Sequence, residues 1–401
     1  MFLEFGETVI AEIYLDNHAT TPMDPAALEA MVAFYREHFA NPGSVSHEAG
    51  RAVAERVEQS TDEIAQHLGA TAEEVVLTSG ATESNNLALM GVCLRPRQKR
   101  RKVVSVVTEH RAILDPLERL RKAGFEVKYA QVQSQSDSLP GLVDLNQLEE
   151  LIDSDTALVS VMLANNEIGV IQPLAEIAKL CRANEVILHS DASQAVGRLP
   201  VSVDDLDVDL LSFSAHKFYG PKGVGGLFVR RRKRNVRIQS QIVGGGQQHN
   251  MRSGTLNAPG VVAMAHALST CVASMPEDQA RIQSLRNDLF AKLVEAIDAI
   301  ELNGPTFDSG IRMPGNLNCR FMPLEGQSLM LAAHDVCVSS GSACTSAEPT
   351  PSHVLAAIGA TEDQARSSLR IGVGRMNTQA EIDQAAIKLA EAYHSVRKLL
   401  S

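Results

Sequence analysis

Short runs of β-branched residues alternate with helix-like stretches from about residue 74 to residue 229. The apolar runs lie at 75–77, 103–107, 157–163, 186–189, 210–213 and 226–229. Strands that alternate with helices are typical of a doubly wound, mainly parallel sheet with helices on both faces, so we predict the α/β class. Ligands of such sheets bind beyond the carboxyl ends of the strands, and functional side chains are expected there.

The pattern changes near residue 260, where longer amphipathic helices begin. Strands recur there only at 317–322 and 368–373, before a closing helix from about Gln379. A chain of 401 residues with 44% hydrophobic residues has enough apolar surface for one large core and a smaller second one. We therefore predict a large domain over 16–260 and a smaller α+β domain over 261–401, with residues 1–15 packed on the smaller one.

The composition argues against several classes of protein. A net charge of −11 disfavours direct binding to nucleic acid, and we interpret the two basic runs, 95–102 and 230–234, as solvated loops or turns. The apolar runs stop far short of the roughly 20 residues that span a bilayer. Because the N-terminus also lacks a signal pattern, we expect a soluble, unexported protein that binds no membrane.

The cysteines are scattered and form no CxxC pair, which argues against a disulfide framework and against a metal site. A reducing cytoplasm fits this usage best. Most buried cysteines are small hydrophobic residues without a chemical role. One cysteine differs, because Cys344 lies among Ser, Gly, Ala and Thr and precedes a Pro-rich stretch, which indicates a surface loop. The six are Cys93, Cys181, Cys271, Cys319, Cys337 and Cys344.

Strand 75–77 runs into small and hydroxyl residues at 78–86, followed by an apolar helical stretch. A turn of small residues that opens a helix presents free backbone N–H groups, which suit a phosphate. Taken alone, an ordinary Ser/Thr-capped helix is the simpler explanation of this segment.

Two charged residues follow later strands. Asp191 ends the run at 186–189 and precedes Gln194, and such an acid is often only a loop cap. Lys217 follows the run at 210–213 among small and hydroxyl residues, an unusual place for a lysine, since most lysines are solvated. A Schiff-base lysine needs a protected position, and a pyridoxal phosphate (PLP) site also needs a carboxylate on the pyridine nitrogen.

Segments spread over nearly the whole chain resemble those of group I cysteine desulfurases, the NifS/IscS type within the class V aminotransferase family. They are YLDNHATT at 14–21, SGATESNN at 79–86, TEH at 108–110, NNEIG at 165–169, SAHK at 214–217, MRSGT at 251–255 and SSGSACTS at 339–346. The resemblance implies PLP fold type I, with a large doubly wound domain and a smaller α+β domain. Several matches in register are far more specific than any single Gly-rich loop.

The resemblance also implies roles for individual residues. It implies that Lys217 holds PLP as a Schiff base, Asp191 pairs with the ring nitrogen, Gln194 bonds the ring hydroxyl and His110 stacks on the ring. Asn166 would lie near that hydroxyl and the substrate, and Arg370 would form a bidentate pair with the substrate carboxylate. The phosphate would be held by Thr82, Ser214 and His216, by N–H groups around Ala81, and by Thr255 of a neighbouring subunit, which makes the active form a homodimer.

The activity that the resemblance implies is the removal of sulfur from L-cysteine. Lys217 would remove the α-proton, the Cys344 thiolate would attack the substrate sulfur, and His110 would take or give the thiol proton. A persulfide on Cys344 and alanine would result, and the sulfur would pass to an acceptor such as an iron–sulfur scaffold protein.

Two other functions remain open at this point. A selenocysteine lyase or another PLP β-eliminating enzyme needs the same pocket but no nucleophilic cysteine, and the Cys344 loop argues against it. A non-catalytic sulfur carrier or assembly scaffold is opposed by the joint presence of Lys217, Asp191, His110 and Arg370.

Overall fold

The computed structural model describes residues 12–340 and 351–400. The strands are β1 Ile13–Tyr14, β2 Val75–Thr78, β3 Lys102–Val106, β4 Glu126–Ala130, β5 Thr156–Ser160, β6 Ile187–Asp191, β7 Leu210–Ser214, β8 Gly225–Val229, β9 Ile300–Leu302, β10 Asn316–Phe321, β11 Val336–Cys337, β12 Ser339–Ser340 and β13 Ser368–Gly372. The helices are α1 Pro25–Glu37, α2 Glu48–His67, α3 Ala81–Cys93, α4 Arg111–Lys122, α5 Leu145–Leu151, α6 Leu174–Ala183, α7 Ala258–Ala296, α8 Gly326–Ala332, α9 His353–Ala357, α10 Glu362–Arg366 and α11 Gln379–Leu400.

A seven-stranded sheet in the order β2-β8-β7-β6-β5-β3-β4 forms the larger part of the molecule. The strands from β7 to β4 in that order pair in parallel, and β8 runs antiparallel to its two neighbours. Strands β3, β5, β7 and β8 are buried along their whole length, which explains why their sequences are continuous apolar runs. The predicted α/β class with a mainly parallel sheet is confirmed.

Both faces of this sheet are covered. Along β2, Val75 and Leu77 enter one hydrophobic core, which also contains side chains of α1, α2 and α6. Val76, which points to the opposite face, enters a second core formed with α3 and α4. Alternate residues of one strand therefore serve opposite layers, as a doubly wound sheet requires.

A smaller antiparallel sheet, β12-β13-β10-β9, packs with α8, α11 and the second half of α7 around a separate core. Ile13 and Leu15 belong to this core, and β1 pairs with β11. The predicted boundary near residue 260 falls at the start of α7, whose first half lies in the core of the large sheet. The division into domains at that residue stays a prediction, as does the packing of residues 1–11, which lie outside the described part of the chain.

Helix α7 is the one described helix that is long and apolar enough to cross a membrane by length and composition. The apolar strand runs used in the sequence analysis had not indicated such a segment. Of its most apolar window, 56% is buried inside the protein, where it packs against the large sheet. Core helices of soluble proteins pass the same test, so the finding is weak evidence for a membrane span.

The basic run 230–234 is only in part the solvated turn that the sequence suggested, because Arg231, Arg232 and Lys233 are exposed whereas Arg230 is buried. Arg230 is fully buried and donates to Asp204 at 2.7 Å and to the carbonyl of Val208 at 2.7 Å. Arg234 binds Asp209 at 2.8 Å. A run of like charges on one strand end is stabilised here by carboxylates that come from distant parts of the chain.

Candidate active site

The carboxyl ends of the parallel strands surround one cavity of about 510 Å³. Most residues that the sequence suggested line it: Ala81, Thr82, His110, Asn166, Asp191, Gln194, Ser214, His216, Lys217 and Arg370. They come from five strand ends of the large sheet and from β13 of the small one. The volume falls within the usual range of pockets for small ligands.

Lys217 lies in a single 3₁₀ turn, Ala215–Lys217, directly after the buried strand β7. Its Nζ donates to the carbonyl oxygens of His18 at 2.8 Å and Ala19 at 2.7 Å. Arg198 donates to the carbonyl of Lys217 at 2.7 Å. The amine is therefore held at the cavity wall by two fixed acceptors, and the backbone that carries it is held as well.

Asp191 is the last residue of β6 and is almost completely buried. One carboxylate oxygen accepts from Asn85 Nδ2 at 2.7 Å. The other accepts from the Ser193 backbone N–H at 2.9 Å and from the Ser193 hydroxyl at 2.5 Å. Donors on both oxygens are what an ionised carboxyl group requires, so Asp191 is suited to face a cationic N–H in the cavity.

Hydrogen-bond donors also line the part of the cavity around the start of α3. Gly80 precedes that helix with a φ of 146°, and a Cβ there would approach the Ser214 hydroxyl to 3.3 Å. Ser214, Thr82 and Lys222 line this part of the cavity. Backbone N–H groups at a helix start, hydroxyl groups and a lysine together form a suitable site for an anion.

His216 lines the same part of the cavity, with its Nδ1 3.0 Å from the Thr20 hydroxyl. Burial, followed by the charge of Lys217, lowers the pKa of His216 to about 4. The ring is therefore neutral at neutral pH and acts as a hydrogen-bonding group rather than as a cation.

His110 is the N-cap residue of α4, where its Nδ1 accepts from the backbone N–H of Ala112 at 3.0 Å. Burial is the largest cause that lowers the pKa of His110, so the ring is neutral near pH 7. Because Nδ1 acts as an acceptor, the proton of the neutral ring is on Nε2. The structure thus gives His110 a hydrogen-bond donor at Nε2.

Arg370 projects from β13 of the small sheet and is only 2% exposed. Its Nη2 donates to Asp16 at 2.8 Å and to the Ser339 hydroxyl at 3.0 Å. Within the described residues, its Nε has no hydrogen-bond partner. Arg370 lines the cavity, and a guanidinium that is held in place by a carboxylate and a hydroxyl is suited to bind a further carboxylate there.

Two of the predicted residues are not among the described residues that line this cavity. Thr255 is exposed on the surface and does not line it. Cys344 lies in the segment 341–350, outside the described residues. The roles given to both stay predictions.

The structure also adds residues that the sequence analysis had not assigned, chiefly His18, Asn85 and Ser193. All three lie inside segments that carried the family resemblance or directly beside Asp191. Their location in these segments could have indicated that they belong to the site, but it did not predict their hydrogen-bond partners.

Comparison with known proteins identifies related molecules. Residues 13–385 match the model of the family described as Aminotransferase class-V. The chain is 43% identical to a cysteine desulfurase of Mus musculus over 98% of this chain and 83% of that protein. It is 44% identical to the cysteine desulfurase IscS of Anaeromyxobacter dehalogenans over 96% of this chain and 94% of that protein.

Solved structures are similar over most of the chain as well. A NifS-like protein superimposes with a TM-score of 0.86 and 36% identity, and covers 95% of this chain and 98% of its own. The protein SspA, solved in complex with cysteine, has a TM-score of 0.78 and 32% identity, and covers 91% of this chain and 99% of its own.

Proposed function

The chain belongs to the class-V aminotransferase family and, within it, to the cysteine desulfurases, and on that premise we propose the following reaction. The enzyme removes sulfur from L-cysteine, releases L-alanine and holds the sulfur as a persulfide on Cys344. The observation that carries the proposal is one cavity that brings together Lys217, Asp191, His110 and Arg370.

Enzymes of this family depend on PLP, and the residues present fit that cofactor. Lys217 supplies the amine for its aldehyde, and Asp191, held by three donors, supplies the carboxylate for its ring nitrogen. The cluster of donors at the start of α3 suits its phosphate. We assign the phosphate to Thr82, Ser214, His216 and the N–H of Ala81, the ring hydroxyl to Gln194 and Asn166, and the ring face to His110.

Bound PLP would withdraw electrons from the α-carbon of the substrate, and protein side chains would bind the substrate and transfer its protons. Arg370 binds the substrate carboxylate with donors that Asp16 and Ser339 leave unused. Lys217 takes the α-proton at Nζ, and the carbonyls of His18 and Ala19 accept hydrogen bonds from the resulting ammonium. His110 donates from Nε2 toward the substrate sulfur, because its Nδ1 is used at the helix cap.

In the sulfur transfer step, the Cys344 thiolate forms a bond to the substrate sulfur while the carbon–sulfur bond breaks. The electron pair of the broken bond stays with the three-carbon fragment, which is protonated and leaves as alanine. Four other cysteines are poorly suited to this role, because burial raises the pKa of the Cys93, Cys181 and Cys319 thiols to about 12 and that of Cys271 to about 11.

The oligomeric state, the sulfur acceptor and the compartment are part of the proposal. A homodimer would bring Thr255 of one subunit to the phosphate of the other, and Thr255 is exposed for such a contact. Val243, in the same exposed segment, leaves 82% of its surface uncovered. The proposed acceptor is a soluble protein such as an iron–sulfur scaffold, and the proposed location is the cytoplasm.

The test is an incubation of the purified enzyme with PLP and L-cysteine, followed by measurement of alanine and by mass spectrometry of the peptides. Wild type should form alanine and add one sulfur to the peptide that carries Cys344. Lys217→Ala should lose both products and the visible band that borohydride bleaches. Cys344→Ala should keep that band and still fail to form alanine and persulfide from L-cysteine. Sulfur on another cysteine, or normal alanine production by Cys344→Ala, contradicts the proposal.

A further inference from the structure

His18 is buried beside the proposed cofactor site, with 1% of its surface exposed. It lies just after β1 and lines the cavity together with Gln194 and Lys217. Its ring Nδ1 is 3.0 Å from Gln194 Oε1, and its main-chain carbonyl accepts from Gln194 Nε2 at 2.9 Å. Ring and backbone of one residue therefore bind both ends of the same amide group.

These two contacts determine which way the Gln194 amide points. The end that faces the His18 carbonyl must be the NH₂ group, because a carbonyl only accepts hydrogen bonds. The other end is then the oxygen, which lies 3.0 Å from His18 Nδ1. Arg198 Nη1 lies 3.2 Å from this oxygen and also 3.2 Å from His18 Nδ1, and it can donate to that nitrogen only if the ring proton is on Nε2. That tautomer would set a lone pair of Nδ1 against the oxygen at the shorter distance and leave a buried N–H at Nε2 without a partner within the described residues, so we place the proton on Nδ1.

We propose that His18 is a positioning residue: its Nδ1–H fixes the orientation of the Gln194 amide, so that the second hydrogen of Gln194 Nε2 points to the ring hydroxyl of bound PLP. The inference rests on the proposed cofactor site. With the amide reversed, an oxygen would face the electron-rich oxygen of the cofactor and repel it. The His18 carbonyl also accepts from Lys217 Nζ, so the Gln194 amide and the Lys217 amine are held by the same backbone group.

The surroundings of the ring support a fixed neutral donor. Burial, followed by the charges of Arg198 and Arg370, lowers the pKa of His18 well below its usual value. Its Nε2 has no hydrogen-bond partner within the described residues, so the lone pair of that nitrogen is left unused inside the protein. A buried polar atom without a partner costs stability, and the contact of Nδ1 with Gln194 is an interaction that offsets this cost.

Arg198 does not replace His18 in this role. Its Nε donates to the carbonyl of Lys217, and its Nη2 donates to the carbonyl of Asn17. The guanidinium is thus committed mainly to the backbone, and its contact with Gln194 Oε1, at 3.2 Å, is the longer of the two.

Two substitutions of His18 form a matched pair. In His18→Asn, the side-chain NH₂ occupies nearly the place of Nδ1 and keeps the donor. In His18→Gln, the NH₂ occupies nearly the place of Nε2 and removes the donor from Gln194. We expect His18→Gln to raise the Kd for PLP about 10-fold, the loss of roughly one hydrogen bond, while His18→Asn stays within about threefold of wild type.

The experiment measures the Kd by titration of apoprotein with PLP and the pH at which the visible band of the bound cofactor changes. Both are compared in wild type, His18→Asn, His18→Gln, Gln194→Ala and His18→Gln/Gln194→Ala. If His18 acts through Gln194, His18→Gln changes the Kd less than about twofold when Gln194 is already Ala. Equal pH midpoints for His18→Asn and wild type, with a shifted midpoint for His18→Gln, are also expected.

If the changes in Kd caused by His18→Gln and Gln194→Ala multiply in the double variant, the two residues act independently and the inference is wrong. The inference is also wrong if His18→Asn raises the Kd as much as His18→Gln does. Failure of the proposed function looks different, since wild type would then show no Lys217-dependent band with PLP. Circular dichroism and melting of each apoprotein verify the fold. If His18→Gln does not fold, His18→Leu replaces it as the variant without a donor.

Discussion

Two buried carboxyl groups near the cavity, those of Asp191 and Glu109, differ in the number of hydrogen bonds that they accept. Asp191 receives three hydrogen bonds, which reach both of its oxygens. Glu109, fully buried beside His110, accepts a single bond at 2.6 Å from the backbone N–H of Met162. Its second oxygen has no partner within the described ranges, and burial raises its pKa well above the usual value. The surroundings of Glu109 therefore favour its protonated form.

The difference shows that the number of donors, rather than burial itself, decides how a carboxyl group near the site is used. Both residues follow strands of the same sheet, and both would be described as acids at a strand end. A carboxylate with three donors serves as a fixed negative charge, whereas a protonated one is a neutral packing group. The same exchange of carboxyl for amide should therefore have different results at the two positions.

Asp191→Asn should have the largest effect. The amide nitrogen would face either Asn85 or Ser193, both of which now donate to the carboxylate, and the negative charge for the ring nitrogen would be lost. We expect kcat/KM for alanine formation to fall at least about 100-fold, roughly 3 kcal/mol of transition-state stabilisation. A decrease of less than about threefold would show that the charge of Asp191 is not required.

Asn85→Ala should have an intermediate effect, since it removes one of the three donors and leaves Ser193 in place. The Kd for PLP, measured by titration of apoprotein, should rise about three- to tenfold, as expected for one hydrogen bond to a charged group. Asn86→Ala is the matched control on the same helix, because Asn86 donates to the carbonyl of Thr82 and, within the described residues, not to Asp191. Equal Kd values for Asn85→Ala and Asn86→Ala would show that the hydrogen bond from Asn85 to Asp191 does not contribute to PLP binding.

Glu109→Gln should leave activity nearly unchanged. The surroundings of Glu109 favour its protonated form, which the substitution replaces with a neutral amide of nearly the same shape, and the oxygen bound to Met162 is kept. We expect kcat/KM within about threefold of wild type, in contrast to the loss in Asp191→Asn. A loss comparable to that of Asp191→Asn would mean that Glu109 is ionised or takes part in proton transfer.

The smallest effect concerns stability and pH. The pKa of Glu109 is higher in the folded protein than its ordinary value of 4.5, so between that pH and the folded-state pKa the folded protein holds a proton that the unfolded chain releases. Its contribution to stability is thus lost as pH rises above about 4.5. Glu109→Gln should melt higher than wild type by about 2 °C or more at pH 8, with a smaller difference at pH 5. A difference that is constant between pH 5 and pH 8 would contradict the assignment.

The strands of the large sheet were predictable because most are buried on both faces and have continuous apolar sequences. Strand β4 was missed, although its alternating sequence, Glu-Val-Lys-Tyr-Ala, is typical of a half-buried strand at the edge of a sheet. Arg230 was predicted to be solvated and is fully buried. Its carboxylate partner, Asp204, lies 26 residues away in the chain, and nothing local indicates that pair.

The sequence by itself determined the α/β class, and most of the site residues that it predicted do line the cavity. The class followed from the alternation of apolar runs and helices, whereas the site residues came from the resemblance of short motifs to those of a known family. Several of these motifs follow parallel strands, whose carboxyl ends meet at one edge of the sheet. Tertiary structure alone decided how those residues are used. His18 and Gln194 are 176 residues apart, as Asn85 and Asp191 are 106 residues apart. The direction of an amide and the charge of a carboxyl group depend on such partners and on exclusion of water, which only the folded chain provides.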